Sequence, residues 1–224
     1  QLAAGVAHEI RSPLTSLKMF LESMEAEMDI SPLYDEDLHV AMAQVERMES
    51  TINRFLNFAR PQDPLFSEFE AGELIKDALL VARPRAMQQE TVIATEIADA
   101  LPLLSGDRKQ LGEALLNLII NGLEATMCGS RIAISASMSL QHSPEESSEC
   151  IKIDVTDSGP GIDSELIPKL FDPFYTTKAT GTGLGLSIVY STIVRHGGQV
   201  GVDSRLGQGT TFSLLIPVKA RTDV

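Results

Sequence analysis

Three polar motifs in the second half of the chain constrain the fold more than any other feature. The first is an N-x-x-x-N motif at residues 117–121, inside an otherwise apolar segment of helical character. The second is D-x-G-x-G at 157–161, directly after the apolar strand-like segment 151–155, and the third is G-x-G-x-G at 181–185, at the start of a predicted helix. A fold that uses all three must bring a helix, a strand end and a loop-to-helix junction together.

The spacing of four residues places the side chains of Asn117 and Asn121 on one face of a helix. Burial of an unpaired amide costs about 1–3 kcal/mol, so both side chains need partners. Those partners are either neighbouring backbone groups or a bound ligand.

Each glycine motif allows the backbone to approach a ligand. Asp157 at a strand end can accept a hydrogen bond from an exocyclic amine such as that of adenine, and the glycines after it leave room for a planar ring. The glycines at 181–185 free backbone N–H groups to face a phosphate at a helix N-terminus. Taken singly, D-x-G-x-G also fits a plain turn, and G-x-G-x-G also fits a flexible loop. The spacing G-x-G-x-G, without a preceding strand, does not fit a Rossmann fingerprint.

In this order the three motifs resemble those of the Bergerat-fold ATPases, which include sensor histidine kinases, DNA gyrase-type topoisomerases, mismatch-repair ATPases and the large heat-shock chaperones. The segment LFDPFYTTK at 170–178 is similar to the histidine-kinase lid, and GQGTTF at 207–212 to the last glycine box of that family. The resemblance covers nearly all of residues 65–218. It implies an α/β sandwich that binds ATP under a mobile lid.

The resemblance also implies a role for each matching residue. Asn121 coordinates Mg²⁺, Asn117 contacts the metal–phosphate region, and Asp157 binds adenine. The other nucleotide-binding positions are Gly159, Gly161, Lys178, Gly181, Thr182, Gly183, Leu184, Gly185 and Thr210. Gly122 stands where alanine is usual in the family, and we expect this small change to be tolerated.

Residues 1–60 carry two heptad seams, in which apolar residues recur at alternating steps of four and three. The first seam contains Ala3, Ala7, Ile10, Leu14, Leu17, Leu21, Met24 and Met28; the second contains Leu38, Ala41, Val45, Met48, Ile52, Phe55 and Ala59. A break at 29–37, which includes Pro32, makes the two helices antiparallel neighbours. A lone hairpin buries little surface, so we expect a homodimer with a four-helix bundle.

The predicted fold class is therefore α+β. A dimerisation hairpin at 1–60 is followed by a stiff linker at 61–65 and an ATP-binding α/β sandwich at 66–220. In the sandwich, helices are predicted at 70–88, 107–126 and 183–196. Strands are predicted at 91–97, 131–140, 150–156, 199–204 and 210–217.

The segment HEIRSPL at 8–14 resembles the phosphoacceptor box of histidine kinases and implies that His8 is phosphorylated. Glu9 directly follows and can accept a proton from the second ring nitrogen. Asn117 stands where ATP-hydrolysing relatives have a glutamate general base, so attack by water is disfavoured. Ser12 replaces the threonine or asparagine that positions water in related kinases, and we expect weak phosphatase activity.

These features predict autophosphorylation followed by transfer to an aspartate on the receiver domain of a response regulator. Two alternatives stay open: an ATPase switch that the hairpin merely dimerises, and a catalytically silent module that binds a response regulator. The net charge of −13 argues against nucleic acid binding, and no apolar run reaches the length of a membrane span. Two cysteines fit a cytoplasmic location. Because the chain opens within a helix, we expect the sensor and any membrane anchor upstream.

Overall fold

The computed structural model describes residues 2–27, 32–59, 62–142, 147–178 and 181–218. Some helix and strand residues in these ranges, including His8, Glu9 and Ser12, are described by their backbone alone. The chain divides into two compact units, Gln1–Gln62 and Asp63–Val224. In the described ranges, no helix combines the length and apolar character that crossing a bilayer requires.

The first unit is a pair of helices, α1 (Leu2–Glu27) and α2 (Pro32–Ala59). From the heptad seams, Leu14, Leu38 and Val45 are buried within one chain, as expected for antiparallel neighbours. The second helix begins within the segment predicted as a break. Proline is well tolerated in the first turn of a helix, where its missing N–H would have no intrahelical partner, so Pro32 starts this helix instead of preventing it.

Among its described residues, the second unit contains three α-helices, α3 (Ala71–Gln88), α4 (Arg108–Ala125) and α5 (Gly185–Arg195), and a short 3₁₀ helix (Ile167–Lys169). The strands of its main sheet are β2 (Val92–Ile97), β4 (Arg131–His142), β5 (Ser147–Asp157), β6 (Gln199–Arg205) and β7 (Gly209–Pro217). They lie in the order β2-β4-β5-β7-β6. Strand β2 pairs parallel with β4, and the other neighbours are antiparallel.

The core of the second unit lies between the three helices and one face of this sheet. Alternate strand residues such as Ile132, Ile134, Ile151 and Ile153 point into it and are fully buried. This two-layer arrangement follows from helices and strands that each carry one apolar face. The helical hairpin and the α/β layer together confirm the predicted fold class.

Two further strands were not predicted. Strands β1 (Ser67–Phe69) and β3 (Leu104–Gly106) form a separate antiparallel pair. Three residues are too few for a periodic signal, so only their pairing across the chain makes them strands. Strands β4 and β5 also extend further than predicted into the polar segment that joins them, of which residues 143–146 lie outside the described part.

Candidate functional site

The two asparagines of the first motif lie on α4. The helix is started by Asp107, whose Oδ1 accepts hydrogen bonds of 3.0 Å from the backbone N–H groups of Lys109 and Gln110. A methyl group placed on Gly185 would lie 3.8 Å from both Asn117 Oδ1 and Asn121 Nδ2. The fold therefore brings the start of α5 against the two amides, as the motif order predicted.

The carboxylate of the second motif stands at the end of β5, paired on one side with Ile132 and on the other with Thr210. Asp157 is 5% exposed, and its Oδ1 accepts a hydrogen bond of 2.8 Å from the backbone N–H of Gly159. Burial raises the pKa of Asp157, although the N–H groups of Gly159 and Thr210 and the charge of Lys178 act in the opposite direction. A desolvated acceptor of this kind favours a ligand that donates a hydrogen bond.

Gly122 connects the first two motifs. A methyl group added to Gly122 would lie 3.3 Å from Ile132 Cδ1 and 3.4 Å from Asp157 Cβ. The distance to Ile132 is shorter than most carbon–carbon contacts, so an alanine would require that side chain to move by a few tenths of an ångström, whereas the distance to Asp157 is at the short limit of ordinary contact. Glycine therefore allows the end of β5 to approach α4 closely in this chain.

The last glycine box closes the other side of Asp157. Thr210 is buried, and its hydroxyl lies 2.9 Å from the Ser204 hydroxyl on the neighbouring strand. Ser204 Oγ also accepts a hydrogen bond of 2.8 Å from the backbone N–H of Ile162. Gly161 has a φ of +72°, and a side chain there would overlap the carbonyl of Arg205. The hairpin β6–β7 thus holds the segment that follows Asp157, and Ser204 carried no signal in the sequence.

The third motif joins the lid segment to α5. The backbone N–H of Phe174 donates a hydrogen bond of 3.0 Å to the carbonyl of Gly183. Gly183 has a φ of +67°, and any side chain there would overlap the Phe174 backbone. Leu184 is buried at the N-cap of α5 and supplies no side-chain cap to the first turn. The helix field and the amides of that turn can therefore act on an anion.

The remaining predicted positions of the third motif are Gly181, which is exposed, and Thr182, which is half-buried. The backbone N–H of Gly181 donates a hydrogen bond of 3.2 Å to the carbonyl of Lys178. This hydrogen bond joins the lid lysine to the first glycine of the third motif.

Lys178 meets α4 beside the asparagines. Its Nζ lies 3.5 Å from Asn121 Oδ1 and donates a hydrogen bond of 2.7 Å to Glu124 Oε2. The other oxygen of Glu124 is 3.1 Å from Nη2 of Arg85. Burial acts to raise the pKa of Glu124, but hydrogen bonds and charge from Lys178 and Arg85 lower it below its ordinary value.

Glu124 and Arg85 were missed by the sequence reasoning. The position of Glu124, three residues after Asn121, could have indicated that it shares a helical face with the motif. Arg85 lies on another helix and carried no such signal.

Chemically, the arrangement suits an anionic ligand with a divalent cation. The amide oxygens of Asn117 and Asn121 are hard ligands of the kind Mg²⁺ accepts alongside phosphate and water. Lys178 and the start of α5 both lie beside these asparagines, and both favour a negatively charged ligand. Asp157 lies next to Gly122 and can accept a hydrogen bond from the amine of a nucleotide base. The side chains of His8, Glu9 and Ser12 lie outside the described part of the structure.

Two families match this chain. Residues 106–220 match the family described as "Histidine kinase-, DNA gyrase B-, and HSP90-like ATPase". Residues 1–64 match the "His Kinase A (phospho-acceptor) domain". Together they cover most of both units.

The chain is similar to the signal transduction histidine-protein kinase AtoS of Escherichia coli strain K12, with 33% identity over 218 residues. The match covers 97% of this chain and 34% of AtoS, so the chain spans about a third of that relative.

Among solved structures, histidine kinase ThkA in complex with the response regulator protein TrrA has a TM-score of 0.70 and 27% identity, covering 99% of this chain and 62% of that chain. Full-length ShkA in complex with AMPPNP has a TM-score of 0.83 at 24% identity, over 98% of this chain and 46% of that one, and supports the fold alone. With both family matches in sequence order and a relative of this similarity, the chain belongs to the sensor histidine kinase family of two-component systems.

Proposed function

We propose that this chain is an ATP-dependent protein histidine kinase that phosphorylates His8. Bound Mg·ATP would supply the transferable γ-phosphoryl group and neutralise part of its charge. Asn121 and Asn117 would hold the metal through their amide oxygens, and Asp157 would accept a hydrogen bond from the adenine amine. Lys178 and the first amides of α5 would hold the phosphates.

The observation that favours a kinase over an ATPase is the environment of Glu124, whose partner Lys178 also contacts Asn121. Asn117 has no useful basicity. Glu124 is a carboxylate, but it is engaged by Lys178 and Arg85, and its pKa is lowered although burial acts to raise it. A general base for water works best with a pKa near the operating pH, so Glu124 is poorly suited to activate water. The phosphoryl group is then left for another nucleophile, and the imidazole of His8 is suited to that role.

Incubation with γ-labelled ATP, for the wild type and His8→Gln side by side, tests this proposal. We expect acid-labile, alkali-stable label on the wild type and none on His8→Gln, with ATP binding retained in both. Steady phosphate release without label would favour the ATPase alternative. Absence of both label and release would favour a silent binding module.

We also propose that the chain acts as a homodimer and passes its phosphoryl group to a response regulator. Dimerisation is supported by seam residues that one hairpin leaves exposed, namely Ile10, Leu17 and Met48. A response regulator as partner is supported by the ThkA–TrrA complex.

Ser12 keeps a hydroxyl but lacks the donor geometry of asparagine, so weak phosphatase activity follows as a hypothesis. Regulator dephosphorylation by wild type, Ser12→Asn and Ser12→Ala tests it, and a wild type as fast as Ser12→Asn would contradict it.

A further inference from the structure

A chain of three charged side chains runs from the lid segment across α4 to the end of α3. Glu124 lies at its centre, with Lys178 Nζ 2.7 Å from one carboxylate oxygen and Arg85 Nη2 3.1 Å from the other. All three side chains are partly buried, between 32% and 42% exposed. One carboxylate therefore pairs with two cationic side chains. Its two oxygens contact Lys178 and Arg85.

The ammonium group of Lys178 lies near both Glu124 and the proposed metal ligand Asn121. In this structure Nζ is bound to Glu124, and Asn121 Oδ1 lies 3.5 Å from the same nitrogen. An ammonium group has three donors, so it can approach a ligand held at Asn121 without a large movement. The carboxylate of Glu124 competes with any polyphosphate for this cation, because both are anions.

We infer that Glu124 is a positioning residue that holds Lys178 beside Asn121 until a polyphosphate takes over that cation. Arg85 then compensates the carboxylate that Lys178 has left, since removing one partner of a partly buried pair otherwise leaves an uncompensated charge. Glu124 thus sets how readily the lid lysine is given up to the nucleotide. This inference rests on the proposed function, because it takes a nucleoside polyphosphate as the ligand.

The substitutions Glu124→Gln and Arg85→Gln have opposite expected effects. Glu124→Gln keeps one acceptor oxygen but removes the competing charge, so affinity for ATP should rise about two- to fivefold, the range given by exposed ion pairs. Arg85→Gln leaves Glu124 with Lys178 alone and should lower ATP affinity by a similar factor. Adenosine has no phosphate, and its affinity should not change in either variant.

Titration calorimetry of the full chain with ATP and with adenosine gives these affinities. Glu113→Gln is the matched control, because it removes the same charge from an exposed position of the same helix. Wild-type protein that binds ATP, with no rise in Glu124→Gln, would overturn the inference and leave the proposed function intact. Wild-type protein that binds no ATP would contradict the proposed function itself.

A second measurement needs no nucleotide. Trypsin cleaves after lysine, and the Lys178 side chain must leave Glu124 to enter the protease. Cleavage after Lys178, identified by mass spectrometry, should be faster in Glu124→Gln and slower in Arg85→Gln than in wild type or Glu113→Gln. Equal rates in all four proteins would mean that Glu124 does not hold Lys178.

The double variant Glu124→Gln/Lys178→Met separates this mechanism from general charge repulsion. If Glu124 acts through Lys178, then Glu124→Gln has no effect on ATP affinity once Lys178 is methionine. The same rise in the Lys178→Met background would show that Glu124 only repels phosphate, and the positioning role would be wrong.

Discussion

The Nε2 atom of His196 accepts a hydrogen bond of 3.0 Å from the backbone N–H of Asp107. Its Nδ1 lies 2.7 Å from the carbonyl oxygen of Thr192, so the neutral ring joins the end of α5 to the start of α4. The segment that enters the second unit is held at the same corner. Leu65 donates its backbone N–H to Asp107 Oδ2 at 3.0 Å, and the ring of Phe66 lies 5.3 Å from that of His196.

This corner predicts a pH dependence of stability. Burial lowers the pKa of His196, and the charge of Arg195 acts the same way, while the Thr192 carbonyl and Asp107 oppose them. The unfolded chain therefore binds a proton at higher pH than the folded chain does. The contribution of His196 is complete above the unfolded pKa of about 6.5 and is lost as the pH falls towards the folded value.

Denaturant unfolding of wild type and His196→Gln between pH 5 and 8 tests this dependence. The wild type should lose stability below about pH 6.5 more steeply than His196→Gln, by at most about 1.4 kcal/mol per pH unit. The difference between the two slopes is the quantity to compare, because contributions common to both proteins cancel in it. Parallel curves would contradict a role for this imidazole.

Asp157→Asn should weaken nucleotide binding without unfolding the second unit. Asparagine keeps an acceptor for the Gly159 amide but replaces the charged acceptor that we assign to the adenine amine. We expect a loss of about 1–3 kcal/mol, or roughly tenfold or more in affinity. Calorimetry with a non-hydrolysable ATP analogue measures it. Asp154→Asn, three residues earlier on the same strand, is the control and should bind like wild type.

Gly183→Ala should impair the lid junction. The residue has a φ of +67°, and a methyl group there would overlap the Phe174 backbone. Gly207→Ala is a matched control: its φ is +76°, but no atom lies within 4 Å of the added methyl group. Both variants should lose about 1–2 kcal/mol of stability from the left-handed backbone. Only Gly183→Ala should also lose ATP affinity, and equal affinities would contradict the assignment.

Leu17→Glu should dissociate the proposed dimer. Leu17 is a seam residue that is 43% exposed in one hairpin, so a partner helix is expected to cover it. Burying an unpaired charge there is costly. Sedimentation should find monomer for Leu17→Glu and dimer for the exposed control Gln44→Glu. Val45 is unsuitable for this test, because it is 2% exposed within a single chain and a charge there would disrupt the hairpin itself.

The elements with a local physical cause were predictable. The heptad seams predicted two helices, Asp107 predicted the start of α4, and the three polar motifs predicted one shared site. Periodicity and capping act over a few residues, so a single sequence carries them. The short strands β1 and β3 lack such a signal and exist because they pair with each other.

The sequence by itself therefore determined the two-part organisation and the set of motif residues. Only the tertiary structure decided which other side chains join them. Glu124 meets Lys178 across 54 positions, and Asp107 meets His196 across 89. Such pairs leave no periodic trace, because their contact depends on how the helices, the sheet and the lid segment pack together. The sequence could place Glu124 on the helical face of the two asparagines, but only the fold showed that Lys178 contacts it.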